Sequence, residues 1–485
     1  MGGIIAVVSK KNENVAKIAV TMLKMVEHKG AETFGLASPP TVTIRKSIDD
    51  LKDKDPRSPI LIGHVFLKIL TSDKPQPIKL DNGTFVFEGR IYSPNMEFSS
   101  VEFVTEKLNQ NLENAEALIK DFEGEFVFVV AESGRFVAGR DSLGLYPLYY
   151  GETTDLAALA SERKALWKIG IEEVHSFPPG HIVAVDNHGF KFKPAKTLVH
   201  ARTKQTTMYA AAKKLSSLLR QSVKQRVSGL KEVAVAFSGG LDSSIIAFFA
   251  KKFGVEVHLI SVSLKNQPEI EHVKKAAEAL NLPLHIYVYS EKAVEEVLPK
   301  VLSLIEDANP VRTSIGIPVF WTAKEASKMG FRVMLAGQGA DELFGGYKRY
   351  LNDYVQYGEE SVQKTIFNDI AGMYEKNFER DSKICNFHNV ELRLPFATYQ
   401  LTKFAAKLPL QLKIESTNDM LRKTVLRKVA EDMGLPRFIV KKPKRAIQYT
   451  TGVNKAIKKL AKKEGYSTRK YLQKVFQTVF KEIIT

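Results

Sequence analysis

The sequence predicts two domains of different class, an α+β first half and an α/β second half built on a parallel sheet. Three observations carry this. Roughly the first 200 residues hold short apolar, β-branched runs punctuated by Gly, Asn and Pro. From Glu232 onward, strand-like and helix-like segments alternate, the order of a parallel sheet covered by helices on both faces. A Gly- and Ser-rich turn at 238–244 joins one of those strands to a helix, where such sheets form their sites.

In the first half, strands are expected at 3–9, 85–87, 125–130, 136–138 and 181–185, with helical spacing near 14–27 and 101–112. A polar stretch at 203–207 marks the boundary, giving domains 1–202 and 203–485. Residues 208–226 then read as a helix leading into the second half. A strand ending at Phe237 follows, with a helix from Ile245, a strand at 255–263 and a helix at 269–280. Strands at 284–289 and 332–336 complete the pattern. Both 238–244 and 337–347 sit just past strand ends, so they can share one crevice. No internal repeat or low-complexity segment is present.

The 485-residue chain is long enough for two or three domains, each with its own core. Its 44% apolar and 26% charged content is that of a globular protein, and no run approaches a membrane-spanning length. The N-terminus has no basic stretch ahead of an apolar one, and residues 1–6 resemble an acylation signal but lack Ser or Thr at position 6. Cys385 is the single cysteine, which rules out an intrachain disulfide and a thiolate metal cluster and fits a reducing, cytoplasmic setting. The net charge of +17 is concentrated at the end: eleven of the thirty residues at 441–470 are Lys or Arg, against one acid, Glu464. Val453, Ile457 and Leu460 fall at helical spacing there, so the charges read as a solvated helix face or as an RNA contact.

The 238–244 segment, Ser-Gly-Gly-Leu-Asp-Ser-Ser, has the makings of a phosphate cradle. Backbone N–H groups at a helix start point at the anion, and glycines let oxygens approach closely. No Lys follows the glycines, so this is not a Walker loop. A carboxylate at Asp242 inside an anion site needs a cation to offset it, which suggests Mg²⁺ carried in with a polyphosphate.

Six segments in order resemble the glutamine-dependent asparagine synthetase family. They are 238–244; Gly337-Gln338-Gly339-Ala340-Asp341-Glu342-Leu343-Phe344-Gly345-Gly346-Tyr347; His388-Asn389-Val390-Glu391-Leu392-Arg393-Leu394-Pro395-Phe396; 140–150; 161–166; and Pro178-Pro179-Gly180-His181. The resemblance covers almost the whole chain. It implies an N-terminal nucleophile (Ntn)-like αββα sandwich followed by a Rossmann-like pyrophosphate-loop (PP-loop) ATP pyrophosphatase domain. It also implies a ligase that activates a carboxylate with ATP and Mg²⁺, releases pyrophosphate, and lets ammonia displace AMP. By the same resemblance, Asp242 and Asp341 hold Mg²⁺, while Ser238, Gly239, Gly240, Leu241, Ser243 and Ser244 form the pyrophosphate loop. Ala236, Val262, Ala336 and Gly337 border adenosine, and Lys444 stabilises charge on phosphorus. Glu342, Glu391 and Arg393 are candidates for the acceptor acid, although a buried Arg–Glu pair can equally be architectural.

The first half departs from the family at the positions that carry its chemistry. Gly2 stands where the family has its nucleophilic Cys, and glycine has no side chain to attack with. Glu88, ahead of Gly89, replaces an oxyanion-stabilising Asn with a carboxylate that would repel the oxyanion. Phe66 replaces an Arg that clamps the glutamine carboxylate, and Ser100 replaces an Asp that meets the amino group. The expectation is a pseudo-glutaminase, a relic or docking surface. In the second half, Gln338 replaces a Glu of the family; an amide cannot act as a general base but can orient substrate. Ser314 stands four residues before Pro318 where the family has Arg, with Arg312 two positions away.

The leading reading is therefore synthesis of asparagine from aspartate, ATP and free ammonia, with ammonia from solution or from a separate glutaminase. A homodimer is a further partner it allows; a membrane is not, and nucleic acid is disfavoured. Competing readings are a β-lactam-forming relative, which would carry Tyr at the Gln338 position, an amidating enzyme on another acid, an RNA-modifying PP-loop protein, and a non-catalytic regulator.

Overall fold

The computed structural model of the chain describes residues 2–30, 32–51, 57–92, 99–111, 114–200 and 202–484. Met1, the end of the expected 101–112 helix at Leu112, and Ala201 beside the expected boundary lie outside the described residues. The chain forms two compact units, 1–197 together with 478–485, and 198–477. The expectation placed everything after 202 in the second domain; the segment from Thr478 instead belongs to the first unit. There Phe480 is fully buried and packs edge-on against Trp167, with ring centroids 5.5 Å apart.

The first unit holds two antiparallel sheets. One runs in the order His175–Ser176, Tyr149–Glu152, Leu156–Ala160, Gly2–Ser9, Ile60–Phe66, Thr33–Ser38, Thr41–Arg45. The other runs Gly189–Pro194, His181–Asp186, Arg135–Arg140, Gly124–Glu132, Gly83–Ile91, Ile78–Leu80. Strand alternation explains the layering. Ile4, Ala6 and Val8 of Gly2–Ser9 join Val86, Val127 and Val129 of the second sheet in a core between the sheets. Ile5 and Val7 instead meet Ala19, Met22 and Leu23 of the helix Ala16–Val26. Phe85, Phe87, Phe126 and Phe128 on the far face of the second sheet pack with the helices Ser100–Gln110 and Asn114–Asp121. Each such large apolar side chain contributes about 1.5–3 kcal/mol by leaving water. The result is the expected helix–sheet–sheet–helix sandwich. Ser100–Gln110 starts at a capping box, in which Ser99 Oγ accepts from the Glu102 amide and Glu102 accepts from the Ser99 amide.

The second unit is built on five parallel strands in the order Leu284–Tyr289, Glu256–Leu264, Glu232–Ala236, Val333–Leu335, Glu391–Arg393. The first strand in the chain is central, and the direction of winding reverses between Glu232–Ala236 and Val333–Leu335. A crevice opens at the carboxyl ends there. The helix Glu269–Leu280 and the strand Leu284–Tyr289 lie where periodicity puts them. Glu391–Arg393 escaped the pattern, because a three-residue strand with a charge at each end has no apolar signature. At the basic end, the helix Val453–Lys463 buries Val453, Ala456, Ile457 and Ala461, half-buries Leu460 and leaves Lys455, Lys458, Lys459, Lys462 and Lys463 exposed. No helix among the described residues is long and apolar enough to cross a membrane.

Candidate active site

The turn after Glu232–Ala236 is shaped by its glycines. Gly239 has φ +63°, and a Cβ there would meet His272 at 3.0 Å, so both backbone and packing ask for glycine. His272 Nε2 lies 2.8 Å from the Gly239 carbonyl oxygen and fixes the turn from the helix Glu269–Leu280. The helix Leu241–Lys252 begins at Gly240 without any side-chain cap. Its first amide groups are therefore available to an anion, and its dipole favours one. Ser238 Oγ and Ser243 Oγ stand 3.4 Å apart at the same mouth.

The turn opens into a cavity of about 1120 Å³. Of the residues singled out in the sequence, it is lined by Ala236, Ser238, Gly240, Leu241, Asp242, Ser243, Val262, Ala336, Gly337, Gln338, Asp341, Glu342 and Lys444. Gly239 and Ser244 do not line it. Ser244 is fully buried, its hydroxyl included. Glu391 and Arg393 do not line the cavity either. Strand alternation turns Leu392 into the cavity and its two neighbours away from it. Arg393 Nε donates to Glu391 Oε1 at 2.6 Å and its guanidinium also donates to the Arg226 carbonyl, the arrangement of an architectural pair.

Charges converge at the cavity mouth. Lys444 Nζ is 2.6 Å from Asp341 Oδ2 and 3.9 Å from Asp242 Oδ2. Lys423, unnoticed in the sequence, lies between the same two carboxylates, 2.7 Å from Asp242 Oδ2 and 2.6 Å from Asp341 Oδ1. Burial alone would raise the Asp341 pKa, but the two ammonium groups outweigh it and hold it well below the usual carboxylate range. Burial likewise works to lower the Lys444 pKa, and Asp341 and Asp242 reverse this and raise it. Two aspartate and two lysine side chains thus meet in one cluster. Gly346 makes room for it: a Cβ there would fall 2.0 Å from Asp341 Oδ1.

Arg427 organises both lysines. Its guanidinium donates to the carbonyls of Leu421 and Arg422, beside Lys423, and to those of Val440 and Lys442, beside Lys444. The Lys444 segment is also anchored by Glu269, which pairs with Lys442 at 2.7 Å and Arg445 at 3.0 Å. The Glu269 pairs have no local sequence signal, because their partners are far away in the chain.

Farther along the cavity, Gln338 Nε2 donates to Asp381 Oδ2 at 2.6 Å, and Arg380 donates to both Asp381 oxygens. Glu342 accepts from the Tyr347 hydroxyl and from Asn377 Nδ2; burial and then Asp341 raise its pKa. Arg312 also lines the cavity, paired with Asp307 at 2.9 Å and donating to the Glu375 carbonyl at 2.7 Å. Ser314 is buried and bonded to the Val311 carbonyl.

The donor set fits a hard divalent cation. Among the described residues no group of three or more His, Cys, Asp or Glu could hold a metal; a divalent ion here would have Asp242 and Asp341 as its protein ligands and would need the rest from phosphate and water. That is the way Mg²⁺ is usually held with nucleotides.

In the first unit, three of the altered positions lie together. Gly2 and Phe66 are paired in register, and a Cβ on Gly2 would come 2.9 Å from Glu88 Oε1. Glu88 is buried, its Oε1 2.5 Å from His64 Nε2. Ser100 Oγ accepts from the Ile91 amide at 3.0 Å.

An Ntn-like sandwich and a PP-loop nucleotide domain in one chain define the class, an amidotransferase-type ligase. Residues 214–359 and 354–481 match the asparagine synthase family model, and 64–168 match the glutamine amidotransferase domain model. A Methanocaldococcus jannaschii protein assigned as a glutamine-hydrolysing asparagine synthetase is 30% identical, the alignment covering 97% of each chain. Arabidopsis thaliana glutamine-hydrolysing asparagine synthetase 2 is 26% identical over 70% of this chain and 61% of its own. Among solved structures, glutamine phosphoribosylpyrophosphate amidotransferase of B. subtilis aligns with 16% identity and a TM-score of 0.36, over 59% of this chain and 65% of its own. The chain belongs to the asparagine synthetase family. Its family chemistry is ATP-dependent amide synthesis by a ligase-type enzyme.

Proposed function

We propose that the protein makes L-asparagine from L-aspartate, ATP and free ammonia, with AMP and pyrophosphate as co-products and without hydrolysing glutamine itself. The observation that carries the nucleotide half is the convergence of Asp242, Asp341 and Lys444 at the uncapped start of Leu241–Lys252. The loop amides and the Ser238 and Ser243 hydroxyls hold the β- and γ-phosphates. Mg²⁺ on Asp242 and Asp341, when bound, would neutralise the departing pyrophosphate. A β-carboxylate oxygen of aspartate then attacks the α-phosphorus, the bond to pyrophosphate breaks, and β-aspartyl-AMP forms. Lys444 stabilises the charge that gathers on the phosphoryl oxygens as that happens.

In the second stage ammonia attacks the acyl carbon, AMP leaves with the bonding electrons, and nitrogen gives up a proton. Gln338 cannot take that proton, but its bond to Asp381 keeps a carboxylate at the acceptor end of the cavity. Arg312 and Arg380, which also line the cavity, supply the positive charge that an amino acid's carboxylate requires.

The ammonia-only reading rests on the first unit. Gly2 offers no nucleophile, and Glu88 occupies the space beside it with negative charge. The test is ATP–pyrophosphate exchange in the presence of single amino acids. Exchange that depends on aspartate and on Asp242 supports the proposal; exchange with another acid, and none with aspartate, overturns the choice of acceptor.

A further inference from the structure

Lys423 is the least expected member of the site. Its side chain is 2% exposed and its ammonium contacts both oxygens of Asp242, at 2.7 and 2.8 Å, and Asp341 at 2.6 Å. These are the two carboxylates that fit a divalent cation, and the ammonium lies between them. The backbone is committed to this placement: Arg422 and Lys423 both have positive φ, 53° and 57°, a conformation that costs non-glycine residues free energy unless the surroundings impose it. Arg422 Nε donates to the Gly346 carbonyl at 3.0 Å, and Arg427 holds the Arg422 carbonyl at 2.7 Å. So the segment that delivers Lys423 is pinned to the glycine that makes room for Asp341.

From this geometry we infer that Lys423 is a resident counter-ion that keeps the metal site closed until nucleotide arrives. A divalent ion alone would have to displace a buried, triply contacted ammonium and leave it without an anionic partner. A nucleotide changes that balance, because its phosphates offer Lys423 new acceptors at the mouth of Leu241–Lys252 while the metal takes the carboxylates. Lys423 thereby makes metal binding conditional on nucleotide and is a positioning residue of the phosphate subsite. The inference rests on the proposed reading of Asp242 and Asp341 as metal ligands.

The test is Mn²⁺ binding to the full chain, followed by the electron paramagnetic resonance signal of the free ion. Without nucleotide, wild-type protein should bind Mn²⁺ only weakly, and α,β-methylene-ATP should tighten binding by about 100-fold, within the usual span of site-to-site coupling. Lys423→Met should tighten nucleotide-free binding by about tenfold or more, and adding Asp242→Asn should abolish that gain. Tight nucleotide-free binding to wild type would overturn the inference, whether or not the variant folds. So would a folded Lys423→Met protein that binds Mn²⁺ no better than wild type. If nucleotide-dependent binding in that case still requires Asp242, the metal-ligand reading stands and only the gating role of Lys423 falls. If nucleotide-dependent binding is indifferent to Asp242, the metal-ligand reading falls with it.

Discussion

A Cβ built on Gly2 lies 1.6 Å from the carbonyl oxygen of Val65, on the neighbouring strand Ile60–Phe66. The proposed loss of glutamine hydrolysis would therefore rest on more than a missing thiol. Gly2→Cys would have to push two paired strands apart, and its sulfur would face the Glu88 carboxylate, which disfavours a thiolate. The variant should release no glutamate from glutamine above the wild-type background in a coupled dehydrogenase assay. Its thermal midpoint should fall. Glutaminase activity restored by this one change would contradict the account of the first unit.

Lys444 is held by Asp341 beside the start of Leu241–Lys252, where the proposal places the phosphates. Lys444→Met should lower aspartate-dependent ATP–pyrophosphate exchange by about 100- to 1000-fold, the usual loss when one donor to a developing charge is removed. Nucleotide affinity, measured by calorimetry, should change only a few-fold. A loss confined to affinity would mean that Lys444 only binds nucleotide.

Glu391 and Arg393 face away from the cavity while Arg312 lines it. Arg393→Ala strands a buried carboxylate and should cost about 3–5 kcal/mol in denaturant unfolding, with an unchanged KM for the acceptor in the folded fraction. Arg312→Met should do the reverse, raising the acceptor KM by about tenfold at near wild-type stability. Comparing the two variants separates an architectural pair from a substrate contact.

Lys413 is buried next to Leu410 and Phe367, and burial pushes its ammonium down to about 7. Between about pH 7 and its ordinary value near 10.5 the unfolded chain holds a proton that the folded chain lacks, so this group makes stability rise with pH across that window. Below pH 7 both forms carry the proton and the destabilisation is complete. Lys413→Met should be more stable than wild type at pH 7, and the gap should close towards pH 10 in parallel denaturant titrations.

The sequence made the loop at 238–244 legible because a strand, a glycine turn and a helix start are local features with one physical purpose. Gly2–Ser9 and Gly124–Glu132 were legible for a similar reason, since burial leaves an unbroken apolar run, whereas Ile60–Phe66, interrupted by Gly63 and His64, was missed although it is buried throughout. Lys423 was not legible, because its meaning lies in Asp242 and Asp341, which are far away in the chain, and in a left-handed backbone that no residue type announces. Arg427 and Asp381 were missed for the same reason. The Glu391–Arg393 pair was left open between substrate contact and architecture, because alternation in so short a strand depends on where the strand lies in the sheet.

The central claim is that this ATP-dependent ligase takes its nitrogen from free ammonia. The direct measurement gives the purified chain ATP, Mg²⁺ and aspartate with either ¹⁵N-ammonium or amide-¹⁵N-glutamine, and follows label into product alongside AMP and pyrophosphate. The account predicts labelled asparagine from ammonium, matched one to one by AMP and pyrophosphate, and no transfer of label from glutamine. Label passing from glutamine into asparagine at a comparable rate would contradict it.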